Sequence, residues 1–361
     1  MKFIIYCGSG IGDFFIISPL VMSLKHSYPS CQIDLLINAN KKNIESKRKI
    51  LLFQSSVKNI FYYTRKEFIH DVFLLKRLRL NKYDYGFSCL DDYMNASIFP
   101  SKIFKIIKTR SVGCVSRNRK IIYDIYSPIS DGPRVNKSFF CYSLAKCSLG
   151  IDLFFDTSFF DMEKLNSYYS KKIKIPSKYI VLALGAGPVT QKTGNKIEML
   201  FGGHTVSNNP KGWLNSYWNI LIADLISYGY NIVLIGGKEE AKAFKLANFT
   251  STSSKAINYL GCLDINESFF VIQNSSFVVG ADTGMMQAAG IFGKKTVSIF
   301  GCTSSIEYHP YGPNIAIQSS LPCSPCFRSK DSIECKTKAC MKSITPETVL
   351  LKIVNSLKEN A

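Results

Sequence analysis

Short, nearly continuous apolar runs recur along this chain, most of them followed by glycine or a small polar residue. The first is Lys2–Cys7 (KFIIYC), which leads into the glycine-rich stretch Gly8 to Gly12. Residues 33–37 and 83–89 follow in the first half; 179–184, 231–235, 277–279 and 296–300 follow in the second. Runs of this length bounded by turn residues predict buried strands. Helical patterns lie between them. Ser18-Pro19 reads as an N-cap followed by proline at the first helical position, with Leu20, Val21 and Leu24 on one face and Pro29 closing the helix. A basic helix is predicted over residues 67–80. A last helix opens at Thr345-Pro346-Glu347 and aligns Val349, Leu350, Ile353, Val354 and Leu357 at helical spacing. Strands alternating with helices predict parallel sheets covered by helices on both faces, in two series.

Residues 167–178 (SYYSKKIKIPSK) are polar and basic, carry a proline and read as a linker between the series. The expected division is a first domain over 1–168, a second over 178–344 and the final helix over 345–361. Residues 191–209 are rich in glycine, asparagine and lysine without periodicity, and loops of that length are often lids or binding loops. The 361 residues suffice for two domains, and a 46% hydrophobic share with 25 Phe and 19 Tyr can fill two cores. No apolar run approaches the roughly 18–20 residues of a membrane span. The N-terminus reads as a first buried strand rather than a leader, so a cytoplasmic protein is expected.

A formal charge of +19 changes the picture of partners. Residues 1–170 hold 25 Lys and Arg against 14 Asp and Glu, and the remainder 20 against 12, so the excess is spread along the chain. Two readings stay open: a lysine-rich composition of no functional meaning, or attraction to an anionic glycolipid, membrane surface or nucleic acid. No zinc-finger or RNP-type motif supports nucleic acid. The densest basic segments, 41–49, 76–79 and 117–120, all lie in the first domain. Among twelve cysteines, Cys323, Cys326, Cys335 and Cys340 crowd together. Four soft ligands at this spacing suit a tetrahedral zinc or iron site, and plain thiols are the alternative. The four histidines, His26, His70, His204 and His309, have no metal spacing with one another.

Two loops carry candidate chemistry. Gly8-Ser9-Gly10-Ile11-Gly12-Asp13 approaches a dinucleotide fingerprint, but Asp13 stands where the third glycine belongs, and a carboxylate there repels a pyrophosphate. The same carboxylate suits a general base, with a helix cap as the plain alternative. In the second half, strand 277–279 runs into Gly280-Ala281-Asp282-Thr283-Gly284 and then a helix, a capped turn whose free N–H groups can meet an anion.

The order of these segments resembles glycosyltransferase family nine, the ADP-heptose:lipopolysaccharide heptosyltransferase family. The matching pieces are Gly10-Ile11-Gly12-Asp13 with Pro19, Gly185-Ala186-Gly187, Lys211-Gly212-Trp213 and 235–240 (IGGKEE). Asp282-Thr283-Gly284 and the cysteine group before Ile344-Thr345-Pro346-Glu347 complete them. The family carries Asp-Thr-Gly-x-x-His where this chain has Gln287 at the last position. The resemblance implies a GT-B architecture, two doubly wound Rossmann-like domains facing across a cleft, and inverting sugar transfer. The expected donor is a nucleotide diphosphate sugar, with ADP-heptose favoured. The expected acceptor is an anionic glycolipid or glycan such as lipopolysaccharide core or O-antigen, met at the inner-membrane surface. Another nucleotide sugar, a protein acceptor or a non-catalytic relative are the alternatives. It further implies Asp13 as base and Lys211 at the donor phosphates. Gly10, Gly12, Gly185, Gly187, Glu239 (or its neighbour Glu240), Asp282, Thr283, Gly284 and Gln287 are implied around the donor. No cofactor is expected for transfer, and no nucleic acid as partner; some relatives hold iron at similar cysteines. Trp213 is expected in the core.

Overall fold

The computed structural model describes residues 1–8, 10–38, 56–63, 72–89, 98–116, 123–129, 135–157, 160–186, 210–243, 253–326, 335 and 337–358. The chain forms two units, Met1–Lys164 and Leu165–Ala361. The expected insert at 191–209, the basic segments 41–49 and 117–120, and Gly187 lie outside the described residues.

In the first unit, β1 (Lys2–Cys7), β2 (Gln32–Asn38), β3 (Asn59–Tyr63), β4 (Tyr85–Ser88), β5 (Arg110–Ser116) and β6 (Ile125–Ile129) form one sheet in the order β3-β2-β1-β4-β5-β6. Every pair is parallel. The central strand β1 is apolar and buried from Phe3 to Cys7 because both its faces are covered. Ile4 and Tyr6 join Leu78, Ile103, Phe104 and Ile107 from the helices Val72–Leu80 and Ile98–Ile107. On the opposite face Phe3 lies against the Tyr28 and Phe87 rings, and the helices Ser18–Ser27 and Lys137–Leu149 pack together. Gly86 is required where a helix crosses the sheet, since a Cβ there would stand 2.7 Å from the Phe104 ring. The Ser18-Pro19 signal is displaced by one residue. A short helix, Ile11–Ile16, runs directly into the next, so Ile17 is the cap and Ser18 is already helical.

The second unit repeats the winding. β7 (Ile180–Ala183), β8 (Ile232–Ile235), β9 (Ala256–Asn258), β10 (Phe277–Ala281), β11 (Thr296–Phe300) and β12 (Asn314–Gln318) form a parallel sheet in the order β12-β11-β10-β7-β8-β9. The helix Pro346–Lys358 packs on Asn215–Ser227, burying Val349 and Ile353 completely. Trp213 is indeed core: it meets Trp218 edge-on at 4.9 Å, and its indole N–H donates to the Ile344 carbonyl at 2.9 Å.

The expected linker over 167–178 is not loose chain. The helix Met162–Tyr169 enters it, and Tyr169 and Ile173 are buried, with the Tyr169 ring 6.2 Å from Phe270. The aromatic and apolar residues in that stretch outweigh its lysines, which point outward as exposed stems.

Candidate active site

In a doubly wound sheet, the loops at the carboxyl ends of the strands on either side of the order reversal make a ready crevice. The reversal falls between β1 and β4 in the first unit and between β7 and β10 in the second. The sequence candidates follow three of these four strands.

After β1, the Gly10 N–H donates to Asp13 Oδ2 at 2.8 Å, so the carboxylate closes back over its own loop. A Cβ on Gly8 would stand 2.2 Å from that oxygen, which is why the loop needs glycine there. Asp13 thus caps the helix Ile11–Ile16 in the loop that follows β1.

In the second unit Gly185 follows β7, and Asp282, Thr283 and Gly284 follow β10. Asp282 is buried and pairs with Lys211 Nζ at 2.9 Å. The ammonium also lies 6.0 Å from the Tyr308 ring centre. Thr283 caps the eight-residue helix Gly284–Ile291, its side-chain oxygen accepting the Met286 N–H at a long 3.4 Å. A cation, a buried carboxylate and the positive end of a helix thus converge at this loop.

The two glutamates after β8 separate cleanly. Glu240 accepts the Gly237 N–H at 2.9 Å, and a Cβ on Gly185 would lie 3.3 Å from its other oxygen. Glu239 is 69% exposed and pairs with Lys242 instead. Glu240, not Glu239, stands beside the β7 loop, because one residue of helix turns the side chain by ~100°. Gln287 is engaged within the second unit. It is 4% exposed and its amide donates to the Tyr308 carbonyl at 2.6 Å, tying the Gly284–Ile291 helix to Ser305–Tyr308. Periodicity carried no signal for Tyr308, which is brought to Lys211 and Gln287 by this packing alone.

The cysteines do not fit a tetrahedral ion as they stand. Cys323 is exposed, Cys340 is buried, and among the described residues no three of His, Cys, Asp and Glu converge as ligands. They do lie near one another and near Cys302, a neighbour the sequence spacing did not suggest. Burial pushes the Cys302 thiol up to about 12, with Cys326 and Cys340 adding to the shift and Lys211 opposing it. Burial also raises Cys340, again with Cys326 adding.

The architecture is similar along its full length to an E. coli ADP-heptose lipopolysaccharide heptosyltransferase II, at 17% identity and a TM-score of 0.69, with 100% of each chain covered. It is likewise similar to the E. coli heptosyltransferase WaaC with ADP-2-deoxy-2-fluoro heptose, at 15% identity and a TM-score of 0.65, again over 100% of each chain. These likenesses define the class: the chain has the GT-B fold, built from two doubly wound parallel-sheet domains.

The family model of glycosyltransferase family 9 (heptosyltransferase) matches residues 165–337, which lie in the second unit and hold Gly185, Lys211 and the Asp282-Thr283-Gly284 turn. The chain is also 25% identical over 195 residues to a lipooligosaccharide heptosyltransferase 2 from Campylobacter jejuni. That match spans 53% of this chain and 59% of the relative's length.

Proposed function

We propose that this protein is an inverting glycosyltransferase that moves a sugar, most simply heptose from ADP-heptose, onto a cell-surface glycan precursor such as lipopolysaccharide core or O-antigen. The reading is carried by the β10 loop, where Lys211 and Asp282 pair beside the start of the Thr283-capped helix, inside the segment that family 9 matches. The donor diphosphate gains charge as the sugar leaves. Lys211 and the Gly284–Ile291 helix start meet that charge, so transfer needs no cofactor; one well-placed donor is worth roughly 10²–10³ in rate. Glu240 accepts hydrogen bonds from the donor's ribose. Asp13 takes the proton from the acceptor hydroxyl.

In this reading residues 1–168 receive the acceptor and 178–344 the donor. The protein works at the cytoplasmic face of the inner membrane as a peripheral protein. Among the described residues no helix is long and apolar enough to cross a membrane, and the cationic excess suits an anionic glycolipid. Gln287 favours one variant: with the family's histidine replaced and its amide engaged by Tyr308, a donor other than ADP-heptose.

Calorimetry of the full chain with ADP, UDP and GDP tests the site, and release of the matching nucleotide from its heptose or hexose conjugate tests the reaction. ADP binding with acceptor-dependent ADP release is the expected result. Binding of UDP or GDP alone would select the variant donor. No nucleotide binding at all would overturn the reading.

A further inference from the structure

The helices Val72–Leu80 and Ile98–Ile107 lie side by side on one face of the first sheet. Their inner sides are ordinary core: Leu78, Ile103, Phe104 and Ile107 are buried, with Leu74, Leu75 and Phe99 packed against them. Their outer side is not an ordinary surface. Phe73 is 86% exposed, Leu80 69%, Val72 66% and Ile106 48%.

Positions 72, 73, 76 and 80 fall within an arc of ~100° on a helix, so Val72, Phe73 and Leu80 form one outward stripe with Lys76 among them. Arg77 and Arg79 flank that stripe, Arg77 held at its margin over the Phe61 ring at 5.2 Å. On the neighbouring helix Lys102, Lys105 and Ile106 are exposed, on the side away from its buried Ile103, Phe104 and Ile107. Residues 72–82 and 98–108 together hold seven Lys and Arg and no Asp or Glu.

We propose that this two-helix face is a docking surface for an anionic lipid bilayer. Exposed apolar residues interleaved with cations and rimmed by them match the boundary between charged headgroups and acyl chains. A polyanion such as RNA would use the cations but leave Phe73 and Leu80 in water. An acidic protein partner would need a complementary shape, whereas a bilayer accepts a convex helical pair. The proposal rests on the membrane-associated part of the function above and not on its chemistry.

Sedimentation of the full chain with vesicles tests it, using phosphatidylcholine alone and phosphatidylcholine with phosphatidylglycerol. Binding only to the anionic vesicles, weakening as salt rises, is expected. The variant Phe73→Ser with Leu80→Ser changes only exposed positions and should lower partitioning by roughly 10- to 100-fold. Lys102→Gln with Lys105→Gln should lower it by about 5-fold for each charge removed. ADP affinity, measured on the same samples, should match the parent in all variants, which separates failure of the docking surface from failure of the donor site. Absence of binding to the anionic vesicles would overturn the proposal. So would equal partitioning of Phe73→Ser/Leu80→Ser and the parent, or polyanion binding that depends on the lysines without any vesicle binding.

Discussion

The two units wind their strands in the same order, yet each finishes the strand ends at its own order reversal with opposite chemistry. In the first, the loop after β1 spends its glycines on a carboxylate: Asp13 folds back onto the Gly10 N–H, and Gly8 makes room for it. In the second, the loop after β10 places a buried carboxylate against Lys211 and opens a capped helix of eight residues. In the proposed function, one topology thus presents an acceptor of protons in one unit and a cationic site at a helix start in the other. The fold fixes where a ligand can sit, and a few loop residues fix which charge it meets.

The largest expected break in that comparison is Asp13→Asn. The amide oxygen can still accept the Gly10 N–H, so the loop and fold should survive while the base is lost. Turnover should fall by about 10²–10⁴-fold with nucleotide affinity unchanged. Turnover like the parent's at saturating acceptor would return Asp13 to the role of a cap.

Lys211→Ala comes next. It removes the cation from the second unit's site and leaves Asp282 buried without that partner, so transfer should slow by roughly 10²-fold and ADP should bind more weakly. Lys211→Ala with Asp282→Ala distinguishes the two losses. If the double variant regains thermal stability but not ADP affinity, the charge matters to the ligand and not merely to the fold. Full recovery of affinity would place the diphosphate elsewhere.

A smaller effect sharpens the assignment of the β8 glutamates. Glu240→Gln should weaken nucleotide binding by about 5-fold, the size of one ordinary hydrogen bond. Glu239→Gln, on the exposed side with Lys242, should leave it unchanged. The reverse pattern in calorimetry would restore Glu239 to the ribose.

The smallest effect on chemistry and the plainest on stability belongs to Gln287→Ala. Losing the part-buried bond to the Tyr308 carbonyl should cost about 1 kcal/mol in denaturant unfolding. Donor affinity should change little. A large loss of ADP affinity with unaltered stability would show that Gln287 meets the ligand after all.

The inner strands of both sheets were legible in the sequence because they are covered on two faces and are mostly apolar. Lys2–Cys7 and Thr296–Phe300 appear with the predicted ends. The outer strands were not. β5 (RSVGCVS) and β6 (IYSPI) carry serine, glycine and proline, and their extended state comes from pairing with a neighbour. The same limit governs the site. Asp282, Thr283 and Gly284 announce a strand-to-helix turn by residue type alone, and the structure puts that turn at the order reversal. Which glutamate faces the loop, and which partner holds Gln287, depend on the rotation of one helix and the approach of another.

The sequence by itself determined the βα alternation, the two parallel sheets, the strand ends where chemistry collects and the cationic excess, since burial and turn geometry leave their mark on residue type. Tertiary structure alone decided the contacts between residues far apart in the chain. It paired Lys211 with Asp282, brought Tyr308 to Gln287, set Cys326 and Cys340 near Cys302, and left Phe73 and Leu80 exposed. Those contacts rest on how helices rotate and dock on a sheet, a geometry that many local sequences satisfy and only the packed whole selects.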